Sequence, residues 1–157
     1  MDRSALQTLS KLCCITLLLT RAPAALTLEG RLPGDQFKED NPPRFGALMS
    51  FQSRSNAMVA LHAVNRGADY SIAQQLARIE RGFKLPAGAL KKTDRLDGAL
   101  RWLQYEFLKK PGKGIVYITR SGNTILYLLI YNAKPGALAY DLPYIERYLR
   151  VLQVKED

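Results

Sequence analysis

Between residues 45 and 64, the apolar positions of the chain follow the two-residue period of a β-strand. Apolar residues alternate with other residues before a turn-like break at 53–56, and a second apolar run covers 58–64. The alternating residues are Phe45, Ala47, Met49 and Phe51. This pattern predicts a β-hairpin, with a short buried helix at 57–64 as the alternative.

The pattern changes to a helical period after Ser71. Ser71 and Gln74 have the spacing of a capping box, in which each side chain accepts a hydrogen bond from the other residue's backbone N–H. Apolar residues then recur on one helical face, and Gly82 suits a C-terminal turn. These apolar residues are Ile72, Leu76, Ile79 and Phe83. The sequence therefore predicts a helix that begins after Ser71 and ends near Gly82.

A second helix is predicted from about Leu96 to Lys109. Asp94 can cap its N-terminus, and the proline and glycines of 111–114 end it. Its apolar stripe consists of Leu96, Leu100, Leu103 and Phe107. Because residues 103, 105 and 107 are also apolar or aromatic at alternate positions, a strand at the end of this segment is the alternative.

The clearest strands are residues 115–120 and 124–131, which are rich in β-branched and aromatic residues. Residues 121–123 (Ser-Gly-Asn) supply a tight turn between them. The second strand is apolar on both faces, so we expect it to be a central strand of the sheet. A final helix opened by Asp141 and Pro143 is predicted to bury Ile145, Leu149 and Leu152.

These elements follow the order β-β-α-α-β-β-α. The order predicts an α+β fold with a mostly antiparallel sheet, two helices before a C-terminal β-hairpin, and a terminal helix. A chain of 157 residues suits one ordinary core. We therefore assign residues 45–157 to a single basic α+β domain. Residues 26–44 mix charge, glycine and proline, which is typical of a linker.

Residues 1–25 have the layout of a secretory signal. A polar start with Arg3 and Lys11 precedes an apolar run at 12–19, and residues 22–24 (Ala-Pro-Ala) have the form of a signal-peptidase site. The apolar run is too short to span a membrane as a helix. An amphipathic helix or a dispensable extension is the alternative. A functional signal would make the protein periplasmic or secreted.

Positive charge is concentrated between residues 78 and 120. This stretch holds eleven Lys and Arg against four Asp and Glu, and so supplies +7 of the net charge of +9. A local excess of this size indicates a polyanionic partner, which is nucleic acid, an anionic membrane surface or an acidic protein. If the partner is RNA, the predicted RNA-binding residues are Arg78, Arg81, Lys84, Lys91, Lys92, Arg95, Arg101, Lys109 and Lys110.

The chain offers few residues for metal-dependent or triad catalysis. His62 is the only histidine, on an apolar run that indicates a structural role, and Cys13 and Cys14 are the only cysteines. The sequence contains no metal-ligand motif and no glycine-rich phosphate loop, so we predict no metal site and no cofactor. An enzyme built from this chain would rely on Arg, Lys and Tyr.

Cleavage of RNA is compatible with those residues because RNA carries its own nucleophile, the 2′-hydroxyl. A protein needs only to orient that hydroxyl, stabilise charge on the phosphorane and assist proton transfer. Arg and Lys can do the first two, and Tyr or Lys can do the third. The predicted catalytic residues are Lys113, Arg120, Tyr131 and Lys134, and a structural role is the alternative for each.

Two segments resemble a known family. Residues 73–83 (AQQLARIERGF) and 111–134 (PGKGIVYITRSGNTILYLLIYNAK), joined by the basic connector, are similar to toxin–antitoxin ribonucleases of the RelE/HigB type. In that family, helices precede a Gly/Lys-rich loop, a β-hairpin and a terminal helix. The resemblance implies a small basic fold that acts on ribosome-associated mRNA and is held inactive by an acidic antitoxin protein.

The resemblance also bears on individual residues. Lys113 matches the basic loop of the family, Lys134 matches the basic residue after the last strand, and Arg120 has a loose counterpart. Ile115 stands where family members usually carry an arginine. The first interpretation is therefore a cytoplasmic, RNA-directed, toxin-like protein, either a metal-independent endoribonuclease or a degenerate relative. The second is an exported, non-catalytic binding or immunity-type protein that recognises an acidic partner.

Overall fold

The computed structural model describes residues 14–18 and 25–156, with side chains described for residues 30–154. The first five strands are β1 (Cys14–Leu18), β2 (Ala25–Glu29), β3 (Phe37–Glu39), β4 (Met49–Ser53) and β5 (Met58–Asn65). The other five are β6 (Lys91–Asp97), β7 (Arg101–Lys109), β8 (Gly112–Ser121), β9 (Thr124–Asn132) and β10 (Gln153–Glu156). The helices are α1 (Ile72–Gly82), a 3₁₀ turn (Pro135–Ala137) and α2 (Leu138–Val151).

Seven strands form one antiparallel sheet in the order β3-β4-β5-β9-β8-β7-β6. The remaining strands form a small antiparallel sheet in the order β1-β2-β10. The large sheet and the helices confirm the predicted α+β class with a mostly antiparallel sheet. The order of the strands in the sheet differs from their order in the chain, because β9 pairs with β5 of the hairpin β4–β5 on one side and with β8 of the meander β6–β7–β8 on the other.

The middle strands β8 and β9 are buried on both faces. Neighbouring residues of β8 belong to different cores: Ile115 lies in the core that contains Leu149 of α2, whereas Val116 lies in the core that contains Ile79 of α1. Each face of the large sheet is therefore covered by one helix. We call these two surfaces of the sheet the α1 face and the α2 face.

The predicted C-terminal hairpin is confirmed. β8 and β9 pair antiparallel, with Ser121 opposite Thr124 across the turn, and β9 lies between β5 and β8. Leu128 and Ile130 of β9 are almost fully buried, which confirms the prediction of a central strand.

Helix α1 has the predicted capping box. The Ser71 hydroxyl accepts a hydrogen bond from the Gln74 N–H at 3.0 Å, and the Gln74 side-chain oxygen accepts one from the Ser71 N–H at 2.7 Å. These two bonds satisfy donors that the first turn of a helix otherwise leaves free. The helix buries Ile79 against the α1 face, as its apolar stripe predicts.

The N-terminal hairpin is also present, although its first strand is shorter than predicted. β4 pairs antiparallel with β5, so the alternative of a helix at 57–64 is wrong. Asn56 adopts a positive φ of 66° at the turn. Phe45 lies outside β4, with a φ of 61°, and is 57% exposed.

The second predicted helix, from Leu96 to Lys109, is wrong. This segment forms the end of β6 and all of β7, which pair as a hairpin with Leu96 opposite Trp102. The apolar stripe at helical spacing is also compatible with strands, because β7 alternates between two covered faces. Trp102 is buried on the α2 face and Phe107 on the α1 face.

Tertiary contacts explain why the hairpin prevails over the helix. The Trp102 indole N–H donates to the backbone oxygen of Leu149 at 3.1 Å, which ties β7 to α2. A Cβ at Gly98 would lie 2.5 Å from the backbone of Arg150, so only glycine permits the turn to pack this closely against α2. Contacts with a helix some fifty residues away cannot be read from local periodicity.

Residues interpreted as a linker contribute to the fold. β3 adds an edge strand to the large sheet, and Leu32 and Phe37 are buried in the core of the α2 face. The folded domain therefore extends N-terminal to residue 45. Of the residues interpreted as a secretory signal, 1–13 and 19–24 lie outside the described part of the chain.

The terminal helix begins three residues earlier than predicted. Asp141 and Pro143 lie inside α2 rather than at its start. Asp141 is fully buried, and its carboxylate accepts hydrogen bonds from the Ser53 hydroxyl at 2.8 Å and the Gln36 amide at 3.1 Å. The carboxylate therefore joins α2 to the β4–β5 turn. Ile145 and Leu149 are buried as predicted, and Leu152 is buried just after the helix.

Replacing Leu128 or Ile130 with Ala should destabilise the protein by about 2–5 kcal/mol, because each change leaves a cavity in the core of the α2 face. Chemical denaturation measures this loss in the free energy of unfolding. The matched control is Leu108→Ala, since Leu108 is 77% exposed and should change stability by less than about 0.5 kcal/mol. A cost below about 0.5 kcal/mol at both buried positions would contradict the central position of β9.

Candidate functional site

Lys113, the first predicted catalytic residue, lies on the α2 face near the start of β8. Its ammonium is 3.1 Å from the carboxylate of Glu106 on β7, and both side chains are about 30% exposed. Register places Lys113 opposite Asn132 of β9. The ion pair partly neutralises the charge that Lys113 would offer to a substrate.

Tyr131 lies at the same end of the sheet but on the α1 face. Its hydroxyl accepts a hydrogen bond from the Gly112 N–H at 3.1 Å and donates one to the Lys109 carbonyl at 2.7 Å. Both bonds go to backbone groups at the β7–β8 turn. Tyr131 therefore links this turn to β9 and has a structural role.

Arg120 lies at the opposite end of β8. It is seven positions along the strand from Lys113, which corresponds to about 23 Å. Its guanidinium donates to the backbone oxygen of Tyr70 and, at 3.4 Å, to that of Gly122. Lys134 is exposed at the start of the 3₁₀ turn. The four predicted catalytic residues are thus not brought together.

The predicted RNA-binding residues are mostly exposed, and six of them share one side of the molecule. Cross-strand partners share a face, so Lys92 and Arg95 lie on the same face as Tyr105 and Leu103, which is the α1 face. Together with the cations of α1 and the segment after it, they form a surface that we call the basic face. Its members are Arg78, Arg81, Lys84, Lys92, Arg95 and Arg101.

The other three predicted RNA-binding residues are placed differently. Lys91 is exposed but lies opposite Glu106, on the α2 face. The Lys109 ammonium donates to the backbone oxygen of Phe83 at 2.5 Å, so it holds the end of α1 to β7. Lys110 is exposed at the β7–β8 turn.

The basic face carries little compensating negative charge. Asp97 forms an ion pair of 3.3 Å with Arg95, and the Glu80 carboxylate accepts a hydrogen bond from the Leu90 N–H at 3.0 Å. Asp94 lies opposite Gln104, on the α2 face. Tyr105, which is half-buried, stands opposite Lys92 and places an aromatic ring among the cations.

A cleft of about 490 Å³ opens on the α1 face beside the basic face. It lies between α1 and the part of β5 and β9 that α1 leaves uncovered. Its volume is in the range of small-molecule binding sites. The residues that line it are Phe45, Met58, Ala60, His62, Val64, Arg66, Gln75, Arg78, Ile79, Gly82, Phe83, Tyr127 and Leu129.

His62 and Tyr127 stack at the floor of the cleft. Their ring centroids are 4.6 Å apart and their planes differ by 12°. Burial lowers the pKa of His62 from 6.5 to about 4, so the imidazole is neutral at pH 7. Burial raises the pKa of Tyr127, and the positive charge of Arg78 partly opposes that rise.

The sequence does not predict the partners of Lys113 and His62, which lie on other strands. Because the sequence predicts a helix from Leu96 to Lys109, it does not predict that Glu106 forms an ion pair with Lys113. The cleft depends on the pairing of β5 with β9, in which His62 stands opposite Tyr127. His62, a single histidine on an apolar strand, is the one sequence feature that points to the cleft. Its partner Tyr127 lies on a distant segment of the chain and cannot be identified from local sequence.

The described residues hold no group of three or more His, Cys, Asp or Glu that could bind a metal ion. Within the same residues, no helix has the length and apolar character needed to cross a membrane.

The pH dependence of stability should report the burial of His62. The unfolded chain binds this proton near pH 6.5 and the native protein only near pH 4. Stability from His62 is therefore complete above pH 6.5 and is lost as the pH falls towards 4, by up to about 1.4 kcal/mol per pH unit.

Denaturant unfolding at several pH values, with His62→Gln as the comparison, isolates this contribution from that of the carboxylates. The variant should lose less stability on acidification than the native chain. Because the chain has one histidine, its NMR titration is unambiguous. A midpoint near 6.5, or equal pH dependence in both proteins, would show that His62 is not buried in this way.

No model of a known protein family matches the sequence, and no curated protein matches it either. The resemblance to RelE/HigB-type ribonucleases therefore stays a prediction, and function has to be argued from the basic face and the cleft.

Proposed function

We propose that this protein binds RNA through the basic face and does not cut it. The observation that carries the proposal is the gathering of six exposed cations on one side of the molecule, where Asp97 is the acid paired with one of them. Exposed Lys and Arg bind phosphates by releasing the counterions that surround nucleic acid. Of the functions predicted from the sequence, this proposal follows the RNA-directed protein that is a degenerate relative of the ribonucleases.

The arrangement of the basic face suits single-stranded RNA. Lys92 and Arg95 lie along the edge strand β6, whereas Arg78 and Arg81 lie on α1, so the cations that can contact phosphates are spread over two elements. Tyr105 offers a partly exposed ring beside Lys92, on which a base can stack. Such stacking is tolerant of sequence, so we expect weak sequence preference.

Binding without cleavage is supported by the separation of the candidate catalytic residues. A phosphorane requires its stabilising donors within hydrogen-bond distance at the same time, and Lys113 and Arg120 lie about 23 Å apart along β8. Both hydrogen bonds of the Tyr131 hydroxyl go to backbone groups. Ile115, where the family usually has arginine, is 1% exposed in the core of the α2 face, which has no room for a solvated guanidinium.

An exported protein that binds an acidic partner is a second candidate, favoured by the position of β6. β6 forms one edge of the seven-stranded sheet, and residues 91–95 are all exposed. A strand of an acidic protein can pair along such an edge beside Lys91, Lys92 and Arg95. β2 begins at Ala25, so cleavage after Ala24 would leave the β2–β10 pair intact.

The two faces of β6 provide a sharp test of RNA binding. Lys92→Glu should weaken binding to single-stranded RNA and reduce the slope of log affinity against log salt by about one phosphate contact, or about 0.7. Lys91→Glu changes the neighbouring residue by the same charge, but on the α2 face, and should have a much smaller effect. Fluorescence anisotropy between 50 and 300 mM salt measures both.

The same titrations distinguish the alternatives. Absence of RNA binding at low salt, or equal losses in both variants, would contradict the basic face as the RNA site. Tighter binding to polyglutamate than to RNA would favour the acidic-partner candidate. Electrophoresis of the RNA after incubation should show intact strands, and fragments that disappear in Lys113→Ala would restore the ribonuclease hypothesis.

A further inference from the structure

The cleft beside α1 has one end that is apolar. Met58, Ala60 and Leu129 form the floor there, and Ile79 and Phe83 form the wall. Phe45 reaches this end from the loop before β4, where it is more than half exposed. An exposed phenylalanine beside an apolar cavity can be covered by an apolar ligand, because burial of apolar surface is favourable.

The other end of the cleft is polar and carries only positive charge. Arg66 and Arg78 line it, and the Arg66 guanidinium lies 5.6 Å from the centre of the Tyr70 ring. The Tyr70 hydroxyl donates to the side-chain oxygen of Gln75 at 2.8 Å, which orients the amide at this end. None of the residues lining the cleft is acidic, so neither arginine has a carboxylate partner among them.

His62 and Tyr127 separate the two ends without adding charge. The stacked rings lie in the middle of β5 and β9, and the imidazole is neutral at pH 7. A ligand that matches the cleft therefore has an apolar part over Ala60 and Leu129 and a single anionic head beside Arg66 and Arg78. Arginine recognises planar carboxylates with paired N–H donors.

We propose that the cleft binds a small amphipathic carboxylate, with the carboxylate at the arginine end and the hydrocarbon tail at the apolar end. From Met58 to Val64 the floor extends about 20 Å along β5, which accommodates a medium-length aliphatic chain. This site is distinct from RNA binding, since Arg78 is the one member of the basic face that lines the cleft. Arg78 borders both surfaces, so Arg66 is the residue that isolates the cleft.

Decanoate below its micelle concentration is the probe, with 1-decanol and decylammonium as matched neutral and cationic compounds. Binding is followed by calorimetry and by the NMR signals of the single histidine and of the Met58 methyl group. Decanoate should give saturable shifts of both signals. The affinity for decanol should be at least tenfold lower, and decylammonium should not bind.

Two substitutions separate the cleft from the basic face. Arg66→Gln should reduce the affinity for decanoate at least fivefold and leave the affinity for decanol unchanged, because Arg66 is exposed and acts on the charged head alone. Lys92→Gln should leave decanoate binding unchanged while it weakens RNA binding. Arg66→Lys keeps the positive charge and should restore part of the affinity for decanoate. Such a recovery would show that Arg66→Gln weakens binding by removing the charge and not by disturbing the fold.

Several results would overturn the proposal. These are the absence of a saturable shift with decanoate, equal affinity for all three probes, or full decanoate affinity in Arg66→Gln. Binding to anionic phospholipid vesicles without binding to free decanoate would also overturn it, because the ligand would then be a membrane surface. Loss of RNA binding in Lys92→Gln with decanoate binding intact would support the cleft as an independent site.

Discussion

The burial of β8 and β9 on both faces is the constraint on which the rest of the structure depends. A strand pair that is apolar on both sides requires a cover on each side, and the chain provides α1 for one face and α2 for the other. β5 and β7 shield the two edges of the pair. Close contacts follow from this arrangement: a Cβ at Gly114 would lie 2.1 Å from the Phe107 ring, so glycine is needed where that ring crosses the strand.

The two-sided core also divides the surface into separate regions. α1 covers only part of its face, which leaves the cleft over β5 and β9. Arg78 lines this cleft, whereas Lys92 and Arg95 lie on β6 at the far edge of the sheet. The α2 face carries Lys113 paired with Glu106, away from both regions. Lys113 and Tyr131 lie near each other in the pairing of β8 with β9, but their side chains project to opposite faces of the sheet. The alternation of side chains along a strand therefore separates two residues that were predicted to share one catalytic site.

Local signals predicted the elements whose determinants are adjacent in sequence. The Ser71–Gln74 capping box identified α1, and the short turn at 121–123 identified the β8–β9 hairpin. Segment 96–109 was predicted incorrectly because its strands are selected by distant contacts, above all the hydrogen bond from Trp102 to α2. The excess of Lys and Arg between residues 78 and 120 is evident from the sequence, but the division of these side chains between the two faces of the sheet depends on strand register. The cleft could not be predicted, since it arises between α1 and a strand pair that is distant in sequence.

The proposed function depends on contact between RNA and the basic face, rather than between RNA and the Lys113 end of the sheet. Mapping of amide NMR shifts during titration with a short single-stranded RNA tests this most directly. We expect shifts at residues 78–84 and 92–95 and on Tyr105, with little change at Lys113 and Lys134. If the shifts instead centre on Lys113, Tyr131 and Lys134 and leave residues 78–95 unaffected, RNA binds at the hairpin end of the sheet and the basic face is not its site.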